Sequence, residues 1–211
     1  MANKTRDAIL ITALEAFGSE GTGQVSTNDI ADILEISPGN VYYYFKSKRE
    51  IIAELYRWFS KDFTGFLQAT KHNGTPGEIW LVLSLCFQLS YKYRFIFRDA
   101  NSVLLKFPEL RKPFQTLLGE TRSAAEQFCQ ELISMDVMQV PPHRVDELVV
   151  NVHLVFTQWI SYAETLSGQE DSCAQQQSRQ ITGGVLQLTT LLLPYLNAEA
   201  VEAFSGIEPV A

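Results

Sequence analysis

Three helix-start signals fall between Ser26 and Glu50, leaving room for two very short helices before a long one. Ser26 stands three residues before Asp29, so its hydroxyl can accept from an orphan amide while the carboxylate reaches back, the reciprocal pattern of a capping box. That start places Ile30, Ala31, Ile33 and Leu34 on a helix of about two turns. Ser37-Pro38 is the second start: serine caps, and proline is tolerated at the first helical position because its missing N–H had no partner there. Ser47 with Glu50 predicts another capping box, opening an amphipathic run through Ile51, Ile52, Leu55, Tyr56, Phe59 and Phe63. Ahead of all three, Ala8, Ile9, Ile11, Thr12, Ala13, Ala16 and Phe17 make a helical face that stops at Gly18 to Gly23.

A short helix, a tight turn and a second short helix, resting on a first helix, is the arrangement that presents a recognition helix to the DNA major groove. Residues 38 to 44 are that helix here. Val41 and Phe45, four apart, face inward with Ile30, Leu34 and Ile36, which leaves Pro38, Gly39, Asn40, Tyr42, Tyr43 and Tyr44 outside. Asn40 can pair with a base edge, Gly39 lets the backbone approach closely, and tyrosines offer rings to thymine methyls and hydroxyls to phosphates. Lys48 adds a cation at a helix N-terminus, itself an anion site, so the two together form a phosphate clamp. The formal net charge is -7, so DNA binding rests on this local surface and not on bulk basicity. Residues 36 to 49 carry three cations and no acid; Lys46 and Arg49 among them have no strong positional argument.

The stretch STNDIADILEISPGNVYYYFKSKREII resembles the DNA-binding signature of the TetR family of bacterial transcriptional regulators, over about residues 8 to 55. The resemblance implies that Thr27 opens the second helix and contacts phosphate, and that Ser37, Gly39, Asn40, Tyr42, Tyr43, Tyr44 and Lys48 line the DNA. Two residues depart from the pattern: Glu35 stands where glycine is common in the turn, straining it slightly, and Tyr44 where histidine is common.

Almost everything else reads as helix, so the expected fold is all-α: a helix-turn-helix domain over residues 1–50, a larger helical domain over 51–197 and a loosely held tail over 198–211. Periodicity and Gly/Pro punctuation predict helices over about 76–91, 94–106, 108–134, 142–167 and 171–196. The resemblance implies that this larger part receives a small apolar or amphipathic effector and dimerises through its last two helices. Trp80, Leu83, Phe87, Tyr91, Phe95, Phe114 and Leu118 are the candidate pocket residues, although aromatics at helical spacing are more often core than pocket. Arg98 reads as a local ion-pair partner of Asp99 or an anchor for an anionic effector, and His153, on an apolar helix, as a satisfied core histidine or a ligand group. Gly183-Gly184 would let helices of two copies approach closely.

Cys86, Cys129 and Cys173 are odd in number and widely spaced, which indicates neither a disulfide framework nor a zinc site, and no metal or cofactor is expected. With no apolar leader and no stretch near the roughly twenty residues of a membrane span, the expected location is cytoplasmic. No catalytic triad, paired-carboxylate motif or phosphate loop argues for an enzyme. The reading is a homodimeric regulator, a repressor released from a pseudo-palindromic operator by its ligand. Its rival is an interaction or ligand-binding protein whose helix-turn-helix touches no DNA.

Overall fold

The computed structural model describes residues 2–69, 74–166 and 173–205, and among these every regular element is helical. The chain divides into two compact units, one of residues 1–62 with 92–117, the other of 63–91 with 118–211. Each unit is thus built from segments far apart in the chain.

The first unit holds α1 (Ala2–Glu20), α2 (Thr27–Ile33), α3 (Pro38–Tyr44), most of α4 (Lys48–Ala69), the short α6 (Phe95–Arg98) and α7 (Ala100–Lys106), and the start of α8 (Arg111–Ser134). Ile9, Leu10, Ala13 and Phe17 of α1 close on Ile30 and Ala31 of α2 and on Ile51, Ile52, Leu55 and Phe59 of α4, all buried. Burying each of the larger side chains contributes about 1.5–3 kcal/mol. The later segment completes this core with rings: Phe59 meets Tyr93 and Phe97 edge-on at 5.5 and 5.7 Å, and Phe95 lies 5.5 Å from Phe17. One helix was expected over 94–106, but Phe95, Ile96 and Phe97 are consecutive and all buried. A single amphipathic helix cannot bury three successive residues on one stripe, and the chain breaks at Asp99 into α6 and α7.

The second unit holds the end of α4, α5 (Pro76–Lys92) up to Tyr91, the rest of α8, α9 (Val145–Leu166), α10 (Cys173–Leu192) and α11 (Ala198–Ser205). The Trp159 indole of α9 donates to the Gln180 carbonyl of α10 at 2.8 Å. The two glycines of α10 are used within the chain: a Cβ on Gly183 would lie 2.7 Å from the Trp159 ring, and one on Gly184 2.5 Å from the Phe87 ring. Close approach at Gly183-Gly184 is therefore made to this chain's own aromatic side chains, a use the spacing alone did not reveal.

Residues 198–205 are not a loose tail. Asn197 caps α11 by accepting from the Ala200 amide at 2.9 Å and donates to the Asp136 carbonyl at 2.9 Å, while Ala200 and Phe204 are buried. The remainder of the expected tail, and the break between the helices expected over 142–167 and 171–196, lie outside the described residues. Cys86 and Cys129 are buried, and burial pushes their thiols up to about 12 and about 11, leaving them unreactive near neutral pH. Among the described residues no helix is long and apolar enough to cross a membrane.

Candidate nucleic-acid interface

The site is assembled from local signals. Ser26 Oγ accepts from the amides of Asn28 and Asp29 at 3.2 Å, and the Asp29 carboxylate accepts from the Ser26 amide at 2.7 Å, so the first capping box forms. Those bonds from Ser26 hold the Asp29 carboxyl below the ordinary carboxylate range. After α2 the chain turns at Glu35, whose φ of 54° lies in the left-handed region, and the Ile36 amide reaches back to the Ala31 carbonyl at 3.0 Å. A residue with a Cβ is strained there, whereas glycine adopts this conformation freely.

Helix α3 begins as its sequence dictates: Ser37 Oγ accepts from the Asn40 amide at 3.3 Å and Pro38 occupies the first turn. Val41 and Phe45 are buried, 1% and 4% exposed, and seat the helix. Ser37, Pro38, Gly39 and Asn40 are exposed, as are Tyr42 and Tyr43 at 60% and 72%. Tyr44 is half-buried and holds its ring edge-on to Tyr43, with centroids 5.0 Å apart. Thr27, the first residue of α2, is half-buried. The arrangement is one short helix presenting an amide, a glycine and two open phenol rings to solvent.

The cations around it are engaged. Lys46 lies 4.6 Å over the Tyr42 ring and donates to the Tyr42 carbonyl at 3.0 Å. Arg49 pairs with Glu109 at 2.9 Å, and Arg6 pairs with Glu54 at 2.9 Å while lying 5.2 Å over the Phe45 ring. Lys48 turns inward: its ammonium donates to the Thr22 carbonyl and lies 5.6 Å from the centroid of Phe17. Burial, and the nearby Lys106 charge, push its pKa down, while Asp29 and Asp99 act the other way. An ammonium has three donors, so the bond to Thr22 leaves capacity for a phosphate. The capping box expected at Ser47 and Glu50 does not form. The Glu50 carboxylate accepts from the Lys46 amide at 2.8 Å, one residue early, and Ser47 Oγ is buried without a partner.

Behind Lys48 stands a pair that sequence reasoning did not connect to this surface. Asp99 accepts from the Thr22 amide at 2.7 Å and from its hydroxyl at 2.9 Å. Arg98 donates to Asp99 at 2.8 Å and to the Phe17 and Gly18 carbonyls at 2.6 and 2.9 Å, capping the negative end of α1. Burial alone would raise the Asp99 carboxyl, but the bonds from Arg98 and Thr22 more than offset it and the pKa falls. Arg98 thus forms the expected ion pair with Asp99 and serves the helix-turn-helix unit; it does not line the cavity described next.

That cavity, of about 50 Å³, lies in the second unit. Phe63 and Leu67 of α4, Leu83 of α5, Thr121 of α8, and Val152 and Phe156 of α9 contribute to its wall. Of the nine expected pocket residues Leu83 alone is on it. Phe87 is buried against Gly184 and Phe156, Tyr91 is buried, and Trp80 and Leu118 are half-buried without reaching the wall. Phe95 and Phe114 belong to the first unit, the latter packed 5.9 Å from Tyr56. His153 is satisfied: Nε2 lies 2.9 Å from Thr121 Oγ1, and burial with the adjacent Arg122 charge lowers its pKa.

Comparison with known proteins agrees with this geometry. The family model described as "Bacterial regulatory proteins, tetR family" matches residues 9–55, and the one described as "Bacterial transcriptional repressor" matches residues 55–204. A probable acrEF/envCD operon repressor of Escherichia coli is 33% identical over 55 residues, covering 26% of this chain and 25% of that protein. The HTH-type transcriptional regulator AcrR of Shigella flexneri is 30% identical over 82 residues, covering 39% of this chain and 38% of that protein. The matched part of the chain thus spans between about a quarter and two-fifths of these curated relatives. A crystal structure of a TetR-family transcriptional regulator from Marinobacter aquaeolei is similar over 94% of both chains, at 30% identity and a TM-score of 0.81. CprB of S. coelicolor, 13% identical with a TM-score of 0.69 over 96% of this chain and 94% of its own, shares the fold. With its helix-turn-helix and its larger helical part each matched, the chain belongs to the tetR family of bacterial regulatory proteins.

Proposed function

We propose that the protein is a homodimeric, DNA-binding transcriptional repressor, acting in the cytoplasm, that leaves a pseudo-palindromic operator when a small ligand occupies the cavity of its second unit. The observation that carries the reading is the outer face of α3. Asn40, Tyr42 and Tyr43 stand exposed on a helix whose other face is seated by Val41 and Phe45. Tyr42 and Tyr43 keep most of their surface in solvent beside an asparagine, an arrangement that suits base edges and phosphates.

Dimerisation is supported by α9. Val150, Leu154, Tyr162 and Leu166 are exposed at 39, 51, 58 and 67%, and Val150 with Leu154, and Tyr162 with Leu166, each four apart, form two exposed apolar pairs along the helix. A dimer on a pseudo-palindromic operator places its two recognition helices in successive major grooves about 34–36 Å apart. Helix α4 runs from Lys48, next to α3, to the cavity-lining Phe63 and Leu67, so a ligand that displaces its far end would move its near end. By linkage, operator and ligand then weaken each other's binding.

Selection of bound fragments from random DNA tests the reading. The expected product is an inverted repeat with half-sites one helical turn apart, bound by a dimer in sedimentation. Recovery of no consensus, or a monomer on DNA, would overturn it.

A further inference from the structure

We infer that the cavity takes a neutral, largely apolar molecule with one hydrogen-bond acceptor, and that Thr121 meets that acceptor. The inference rests on the reading of the cavity as the effector site and adds the chemistry of its occupant. No residue on the cavity wall carries a charge, and Thr121 alone among them carries a side-chain oxygen. Thr121 is 2% exposed, so its hydroxyl is shielded from bulk water. An ionised carboxylate or ammonium brought here would lose its hydration for at most one hydrogen bond and no opposite charge, whereas a single hydroxyl, ketone or ether oxygen has less hydration to lose and finds one donor.

Thr121 can serve that role without leaving a group stranded. Its Oγ1 donates to the Leu118 carbonyl at 3.1 Å and stands 2.9 Å from His153 Nε2. The Leu118 carbonyl lies inside α8 and keeps its helical amide partner, so the hydroxyl can turn from it to a ligand oxygen at little cost. His153, with its pKa lowered by burial, stays neutral at pH 7 and offers no charge to an anion. The apolar part of the ligand meets the rings of Phe63 and Phe156, centroids 5.5 Å apart and inclined by 30°, together with Leu83 and Val152. A cavity of about 50 Å³ holds little more than a few waters, so an occupant must also spread these side chains.

The test is calorimetric titration of the full-length protein at pH 7 with three probes of equal length: 1-octanol, octanoate and octylammonium. Octanol is expected to bind once per chain and both ions at least about tenfold more weakly. Ala125→Phe, which fills the wall, abolishes octanol binding, and the near-isosteric Thr121→Val weakens it about five- to tenfold. Thr121→Val keeps the test readable if Ala125→Phe fails to fold. Equal affinity for octanol and octanoate, octanol affinity unmoved by Thr121→Val, or no binding of octanol overturns the inference. Operator affinity is measured alongside: octanol bound as expected with operator affinity unchanged overturns the effector reading and leaves the ligand class standing.

Discussion

The Asp99 carboxylate accepts from both the amide and the hydroxyl of Thr22, at 2.7 and 2.9 Å, and the carbonyl of that same Thr22 holds the Lys48 ammonium. A residue 77 positions away thereby fixes the loop that holds Lys48 at the start of α4.

Asp99→Asn is expected to destabilise the protein by about 1–2 kcal/mol at pH 7, because the replacement weakens charge-assisted bonds in a site where Asp99 is 13% exposed. The folded-state pKa of Asp99 lies below its ordinary value, so its contribution is present above that value and is lost as pH falls through the folded one. Urea denaturation of both proteins should show a gap that is full at neutral pH and narrows below about pH 4. A gap independent of pH would remove the carboxylate from the account.

Lys48 has a packing role over Phe17 as well as a charge, and two substitutions separate them. Lys48→Ala and Lys48→Met should both weaken binding to specific and random DNA alike. Each should make the salt dependence shallower by about one unit per lost contact, about two per dimer. Only Lys48→Ala should also lower the melting temperature appreciably. An unchanged salt slope in both variants would exclude the phosphate clamp.

Tyr43→Ala should leave stability within about 0.5 kcal/mol, since the side chain is 72% exposed. Operator affinity should fall far more than affinity for random DNA, read in paired mobility-shift titrations. Loss of both in equal measure would assign Tyr43 to phosphate and not to base contact.

At the turn, Glu35→Gly should raise stability by about 0.5–1 kcal/mol by relieving a Cβ at a φ of 54°, while Glu35→Val should lower it. Chemical denaturation reads both signs, and a destabilising glycine would show that Glu35 makes a compensating contact.

Gly184→Ala should cost about 1–3 kcal/mol, because its Cβ would lie 2.5 Å from the Phe87 ring. Combining it with Phe87→Leu should recover part of that loss in a double-mutant cycle, and strictly additive losses would place the strain elsewhere.

The sequence by itself determined α2 and α3, including the bounds of the recognition helix and the two residues that seat it, Val41 and Phe45. It could do so because caps and proline positions act within four residues of themselves. The same locality explains the failure at Ser47, where the register of one hydrogen bond decided whether Glu50 answered the serine or Lys46. Tertiary structure alone decided the rest: that Lys48 points to Thr22, that Arg98 caps α1 across 80 or more residues, and that Leu83 and Thr121 meet at one cavity. Apolar periodicity says that a helix face is buried but not against what. For Phe87, Phe95 and Phe114, the partners that separate core from pocket come from distant parts of the chain or from facing helices.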